Sequence, residues 1–264
     1  MTTDNRQRLI IRVSRACLAF STIDADEVVY QRYPLKSSIS LAANMREALR
    51  TMPMLQKNYY RVVAMVDSPV MMTPTDLYQK SEEEELYRYT FTGHEQHAVM
   101  HAVVPDLNAV AVFSIHKDLR TVLCDRFGES VIFLPIAMSV WRHAYQKSFT
   151  GPRQKLYGYV HDHHMEVFAF GQNRFKFYNS YPVGNEMNDL LYFLLSVWKL
   201  LGMNPREDEL HLNGELPDKD QLTEEIRKYV KRVFIGNPSG EFNRAQVTQI
   251  EGIPYDLVTY YIKK

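Results

Sequence analysis

The chain has 264 residues, 45% hydrophobic and 23% charged, which suits one large globular domain or two ordinary ones and excludes wholesale disorder. Lys plus Arg and Asp plus Glu number 31 each, so there is no general positive field to collect nucleic acid or anionic lipid. Two cysteines, Cys17 and Cys124, are too few for a disulfide framework, and their apolar surroundings favour reduced, buried thiols.

Met1 to Arg8 is polar and lacks the apolar stretch of a signal peptide. Alternation at Leu9, Ile11 and Val13 predicts a strand, a turn at Ser14-Arg15 follows, and Ala16 to Ile23 predicts the return strand. Asp24 to Asp26 has turn chemistry, and Val28 to Tyr33 is a third strand ending at Pro34. Ser37, Ser38 or Ser40 can cap a helix with Leu41, Met45, Ala48, Leu49 and Met52 on one face, stopped by Pro53. Tyr60 to Val66 is an apolar run suited to a buried strand.

The acidic run Glu82 to Glu85 is read as a solvated loop or helix face. His97 to Val104 and Ala109 to His116 are strands, and Lys117 to Phe127 is a helix ending at Gly128. Ser130 to Ala137 reads as a strand and Met138 to Tyr145 as a helix. Gln146 to Lys155, with its Gly151-Pro152 break, reads as a linker.

After it the order restarts. Leu156 to His161 and Met165 to Phe170 flank an Asp162-His163-His164 turn, and Gly171 to Asn173 is a tight loop before a strand at Arg174 to Tyr178. Asn185 can cap an apolar helix over Met187 to Leu201 that Gly202 ends and that is too short to cross a bilayer. Leu210 to Asn213 is a short strand, Leu222 to Val230 is helical, and Tyr255 to Ile262 alternates like a strand. The spans from Ile11 to Ala64 and from Tyr157 to Leu212 are nearly equal and carry the same order. The expectation is an α/β chain of two like subdomains, 1–150 and 151–264, facing one another across a groove.

A three-stranded meander, helix, strand and helix, occurring twice, resembles the ribonuclease-H-like unit doubled in the actin-like ATPase fold of sugar kinases, heat-shock ATPases and actin. The strand–helix–strand element Val112 to Ala137, ahead of a second half opening at Leu156 to Phe170, is similar to the reduced bacterial members of pilus assembly, secretion and cell division. The chain also resembles a bacterial family of about this length with an actin-like fold and no assigned activity. That resemblance implies phosphate-binding hairpins, one per half, each with an Asp-x-Gly-Ser/Thr turn. Glycine there lets backbone N–H groups form an anion nest, and the acid holds hydrated Mg²⁺.

The first corresponding turn, Val13-Ser14-Arg15-Ala16, has neither Asp nor Gly. The second offers Asp162 but puts His163 and His164 where small residues belong. The third, Asn213-Gly214-Glu215, has one glycine and then an acid that repels phosphate. Ser14, Arg15, Asp162, His163, Asn213 and Gly214 are the candidate cofactor-binding residues. No catalytic residue and no metal ligand is assigned, and no resident cofactor is expected, Mg²⁺-ATP being the alternative ligand.

His161 to His164 is the densest group of potential metal ligands; His161 and His163 would share a face on a strand, against the plain reading of a polar hairpin tip. Arg15 could clamp an anion or be an ordinary surface arginine. The Met187 to Leu201 helix could be buried between layers, or Tyr192 and Trp198 could form a partner surface. The preferred expectation is a cytoplasmic actin-like pseudoenzyme acting as a scaffold or protein-binding module, with a protein partner, no nucleic acid and no membrane insertion. The alternatives are a nucleotide-dependent ATPase or phosphotransferase using Asp162 with Arg15, and a metal-dependent hydrolase centred on His161 to His164.

Overall fold

The computed structural model describes residues 7–24, 27–149, 151–172, 174–184 and 186–262. These divide into two units, one within Met1–Val103 and Ala109–Ile136, the other within Val104–Asn108 and Ala137–Lys264.

The first unit begins with β1 (Arg8–Val13), β2 (Cys17–Asp24) and β3 (Glu27–Pro34), an antiparallel meander. α1 (Leu41–Thr51) follows, capped by Ser40, whose side chain accepts from the Ala43 N–H at 3.2 Å. Of the three serines considered, Ser40 is the cap because buried Asn44 ties down the loop before it. The Asn44 amide donates to the carbonyls of Lys36, Ile39 and Ser40 and accepts from the Lys36 N–H. β4 (Arg61–Val66) then returns parallel to β1.

β5 (Met71–Pro74), α2 (Glu83–Thr90), β6 (His97–Val104) and β7 (Ala109–His116) follow, with the small sheet ordered β5-β7-β6. Glu83, Glu84 and Glu85 form the first turn of α2, where carboxylates meet the positive end of the helix dipole. This helix is not merely solvated: Tyr87 is fully buried, and Glu83 binds His101 at 2.8 Å. α3 (Lys117–Phe127) ends as expected at Gly128, where φ is +85°. β8 (Ile132–Pro135) completes the main sheet, ordered β3-β2-β1-β4-β8 with β4 and β8 parallel. It is shorter than the expected Ser130 to Ala137 strand: its partner β4 ends at Val66, whose carbonyl accepts the last bond, from the Ile136 N–H at 3.0 Å.

The second unit starts with α4 (Met138–Ser148), which runs through the first residues of the expected linker. β9 (Lys155–His161), β10 (His164–Gly171) and β11 (Arg174–Pro182) repeat the meander, and α5 (Met187–Leu200) repeats α1. β12 (Glu209–Gly214) runs parallel to β9; α6 (Lys219–Arg227), capped by Asp218, leads to β13 (Arg232–Ile235) parallel to β12. The sheet order β11-β10-β9-β12-β13 reproduces that of the first unit strand for strand, with the same parallel and antiparallel pairs. The duplication inferred from sequence is therefore a duplication of topology. The first copy differs by carrying the β5-β7-β6 sheet and α2 between its fourth and fifth strands.

Alternate residues of β9 and β10 separate two faces. Leu156, Val160, Met165 and Val167 join Leu190, Leu194 and Val197 of α5 and Leu222 and Ile226 of α6 in one core. α5 buries this stripe but leaves Tyr192 68% and Leu200 72% exposed, so it is not covered all round as its composition had suggested.

The last elements are α7 (Pro238–Glu241) and α8 (Tyr255–Tyr261). The tail is thus a helix and not the expected strand. Pro254 precedes its first turn, and it packs on α4, where Ser139 Oγ donates to the Asp256 carbonyl at 2.7 Å. Ala25, Asp26, Asn173 and Asn185, each part of an expected turn or cap, lie outside the described residues.

Candidate functional site

In the first unit, the β1–β2 turn is closed by a side chain where glycine would leave amides open. Ser14 Oγ donates to the Cys17 carbonyl at 3.0 Å and accepts from the Cys17 N–H at 3.2 Å. Arg15 is exposed at the tip, its Nε 3.8 Å from Asp67 Oδ2 at the end of β4. Both residues border a cavity of about 400 Å³ that also reaches His97, Ser114 and His116.

That cavity has a polar base, the meeting of His94, His97, Ser114 and Tyr87, which the sequence did not indicate. His97 Nδ1 lies 3.0 Å from Ser114 Oγ and 3.1 Å from His94 Nδ1, and the Tyr87 hydroxyl donates to Ser114 Oγ at 3.1 Å. Burial, together with neighbouring His94, His116 and Arg88, pushes His97 down to about 4; His94 is lowered too, mainly by burial. At neutral pH this is an uncharged hydrogen-bonded cluster. His97 and Ser114 come from β6 and β7, both legible as strands, but their meeting depends on register that period alone does not reveal.

In the second unit, Asp162 and His163 form a two-residue hairpin turn with φ of +45° and +62°. This is the left-handed pair that usually attracts Asn-Gly or Asp-Gly. His163 is therefore in a turn, exposed, and does not share a strand face with His161 as the sequence had suggested. His161 is buried beside Asp162, at 3.4 Å, and Glu166, at 3.5 Å. Among the described residues, no group of three His, Cys, Asp or Glu could hold a metal ion.

Asn213 and Gly214 end β12, opposite Tyr159 and Val160 of β9. Gly214 has φ of +96°, and a Cβ there would stand 2.0 Å from the Val160 carbonyl oxygen. Glycine at this position thus answers a close backbone approach. The Asn213 side chain lies over Gly236, where a Cβ would come within 1.7 Å of Asn213 Oδ1. The chain then folds back: the Glu215 N–H donates to the Val160 carbonyl at 2.8 Å, and its carboxylate accepts from the Asp162 N–H at 3.3 Å. The structure brings the second-unit candidates Asp162, His163, Asn213 and Gly214 together around this contact. Ser14 and Arg15 meet at the first-unit turn. The hairpin amide that could face an anion is engaged by an acid of the same chain.

A crystal structure from Bacteroides thetaiotaomicron, described as a protein with actin-like ATPase fold and unknown function, is 28% identical, with 95% of this chain and 98% of that chain covered and a TM-score of 0.83. The PilM–PilN type IV pilus biogenesis complex is similar at 10% identity, with 96% of each chain covered and a TM-score of 0.59, a likeness of fold alone. No curated protein matches the chain. The fold is the actin-like ATPase fold, with the doubled strand order described above. A family model described as "Protein of unknown function (DUF3822)" matches residues 1–233, and the chain belongs to that family.

Proposed function

We propose that this protein uses its actin-like fold as a protein-binding module and does not hydrolyse ATP. The observation that carries this reading is the Glu215 carboxylate hydrogen-bonded to the Asp162 N–H. A phosphate approaching that turn meets a fixed negative charge and a donor already in use. The Ser14-closed first turn, with Arg15 beside the Asp67 carboxylate, supports the same conclusion. PilM, which shares the fold, has been captured with PilN, and exposed Tyr192 on α5 gives this chain an aromatic side chain of the kind that anchors partners, whereas Trp198, at 6% exposed, belongs to the core.

No helix among the described residues is long and apolar enough to cross a membrane. The proposal places the protein in the cytoplasm, where its free thiols Cys17 and Cys124 stay reduced. Balanced charge argues against nucleic acid as the partner.

Calorimetric titration with Mg²⁺-ATP, paired with a phosphate-release assay, tests the reading. Neither heat of binding nor turnover is expected; micromolar binding with turnover overturns it. A second reading, a phosphotransferase with Arg15 as phosphate clamp, draws on the cavity beside Arg15. It requires that Arg15→Ala abolish a measurable turnover.

A further inference from the structure

The second-unit sheet ends at β13, and its outer edge is open. The Gly236 N–H donates to the Leu212 carbonyl of β12 at 2.7 Å, so by alternation the N–H and C=O groups of Val233 and Ile235 point away from β12. Among the described residues, none of these outward groups has a hydrogen-bond partner. The matching edge of the first unit is blocked. There the Ile136 N–H donates to the Val66 carbonyl, so Pro135 stands in the outward position and offers no donor. β13 has no proline, and an exposed edge without such a block is a template for another strand.

Both faces of this edge leave room for side chains. Cavities of about 500 and 850 Å³ lie on its two sides and share Ile235, Gly236 and Asn237; α4 and α7 wall the first, α6 the second. On the first side, rings at paired positions form a row across four strands: Phe168 of β10, Tyr157 of β9, His211 of β12 and Phe234 of β13. Successive centroids are 5.4, 4.8 and 4.8 Å apart, with interplanar angles of 4°, 19° and 15°. The row ends at Phe234, which is 43% exposed, and among the described residues no further ring stacks on it. Arg232, two positions earlier, shares its sheet face. The ion pairs around this face turn their cations outward: Arg153 is 43% exposed, Arg232 36% and Lys147 49%, against 10% for Glu209 and 11% for Glu241. The rim therefore attracts acidic side chains.

We propose that β13 accepts an extended segment of a partner protein as the sixth strand of this sheet, with an aromatic residue opposite Phe234 and an acidic residue, two positions away, opposite Arg232. This names the partner chemistry of the protein-binding role proposed above and rests on that role. Main-chain bonds to Val233 and Ile235 supply affinity, and the alternate side chains supply specificity through an aromatic pair and an opposite-charge pair across the strands. A second copy of this chain fits less well, because pairing two β13 edges sets Arg153, Arg232 and Lys147 of both copies along one seam.

The test takes its probes from a phage library of random linear heptapeptides selected on the intact protein. Enriched sequences should carry an aromatic and an acidic residue two positions apart, and their NMR shift changes should centre on β13. Methylating alternate peptide amides should lower affinity by about tenfold or more, and methylating the intervening amides by much less, since only one set faces β13. Phe234→Ala, confirmed as folded by its melting curve, should weaken binding about fivefold. The proposal is overturned by a library that yields no binder, by methylation effects that do not alternate, or by shift changes centred elsewhere, for instance on Tyr192. That last result leaves the protein-binding role standing, whereas ATP turnover removes the role and leaves the peptide result untouched. A homodimer in sedimentation that Phe234→Ala dissolves assigns the edge to a second copy and also overturns the proposal.

Discussion

The Asp162 N–H donates to the Glu215 carboxylate at 3.3 Å, so the tip of the β9–β10 hairpin is held by an acid from the end of β12. Glu215 is placed there by Gly214, whose left-handed backbone turns the chain over Val160. Glu215→Ala should remove both the anchor and the charge. Stability should fall by about 1 kcal/mol, toward the low end for a charge-assisted bond that is partly exposed. The variant should also bind inorganic pyrophosphate measurably better than wild type by calorimetry. Equal affinities would mean that Glu215 does not guard the turn.

Gly214→Ala should be severe. The new Cβ would sit 2.0 Å from the Val160 oxygen and force an alanine to φ of +96°, so a loss of about 3 kcal/mol or more is expected from overpacking and backbone strain together. Urea unfolding measures it; a loss below about 1 kcal/mol would contradict the close approach.

Gly236→Ala meets first a side chain, the Asn213 amide at 1.7 Å, with the Leu212 carbonyl oxygen farther off at 3.2 Å. Its cost should shrink by at least about 1 kcal/mol when made together with Asn213→Gly, and a double-mutant cycle reads that coupling. Simple additivity would show that the two positions do not touch.

His163→Gly should stabilise the fold by up to about 1 kcal/mol. The residue holds φ of +62°, a region that penalises an L side chain by about 1–2 kcal/mol, part of which the greater unfolded freedom of glycine cancels. Thermal melting tests the sign.

His97 should make stability fall with acidity. Its pKa is about 4 in the folded protein, under the influence of burial, His94, His116 and Arg88, against an unfolded value of about 6.5. Between these values the unfolded chain binds more protons. The contribution is therefore complete above about pH 6.5 and is lost as pH falls toward 4. Denaturation curves across this window should be flatter in His97→Gln, and NMR titration of the His97 ring should report the lowered midpoint.

Strand and helix positions were largely readable because apolar residues recur with the period of the element. β1, β7 and β9 are nearly all-buried strands, and α3 is bounded by Lys117 and Gly128 as its pattern indicates. The tail misled because Tyr255, Leu257 and Tyr261 alternate on paper, while Pro254 and the packing on α4 favour a helix. β11 extends to Pro182, beyond the expected end at Tyr178, because pairing with all of β10 continues the ladder.

The candidate residues divide in the same way. The absence of glycine beside Arg15 and the acid after Gly214 are local facts, and the chain alone displayed them. That Ser14 closes its own turn, that Glu215 reaches the Asp162 amide, and that Tyr157 lies in a four-strand row of rings were not visible there.

The order of amino acids by itself determined the doubled β-rich topology, since hydrophobic period and turn chemistry act over a few residues and repeat wherever the pattern repeats. Only the tertiary structure decided which polar groups are paired, because β9 and β12 are distant in sequence and their register sets what meets at Val160, Gly214 and Glu215. Hydrogen bonding depends on separations of about 3 Å, and such distances between remote strands exist only once the sheet has formed.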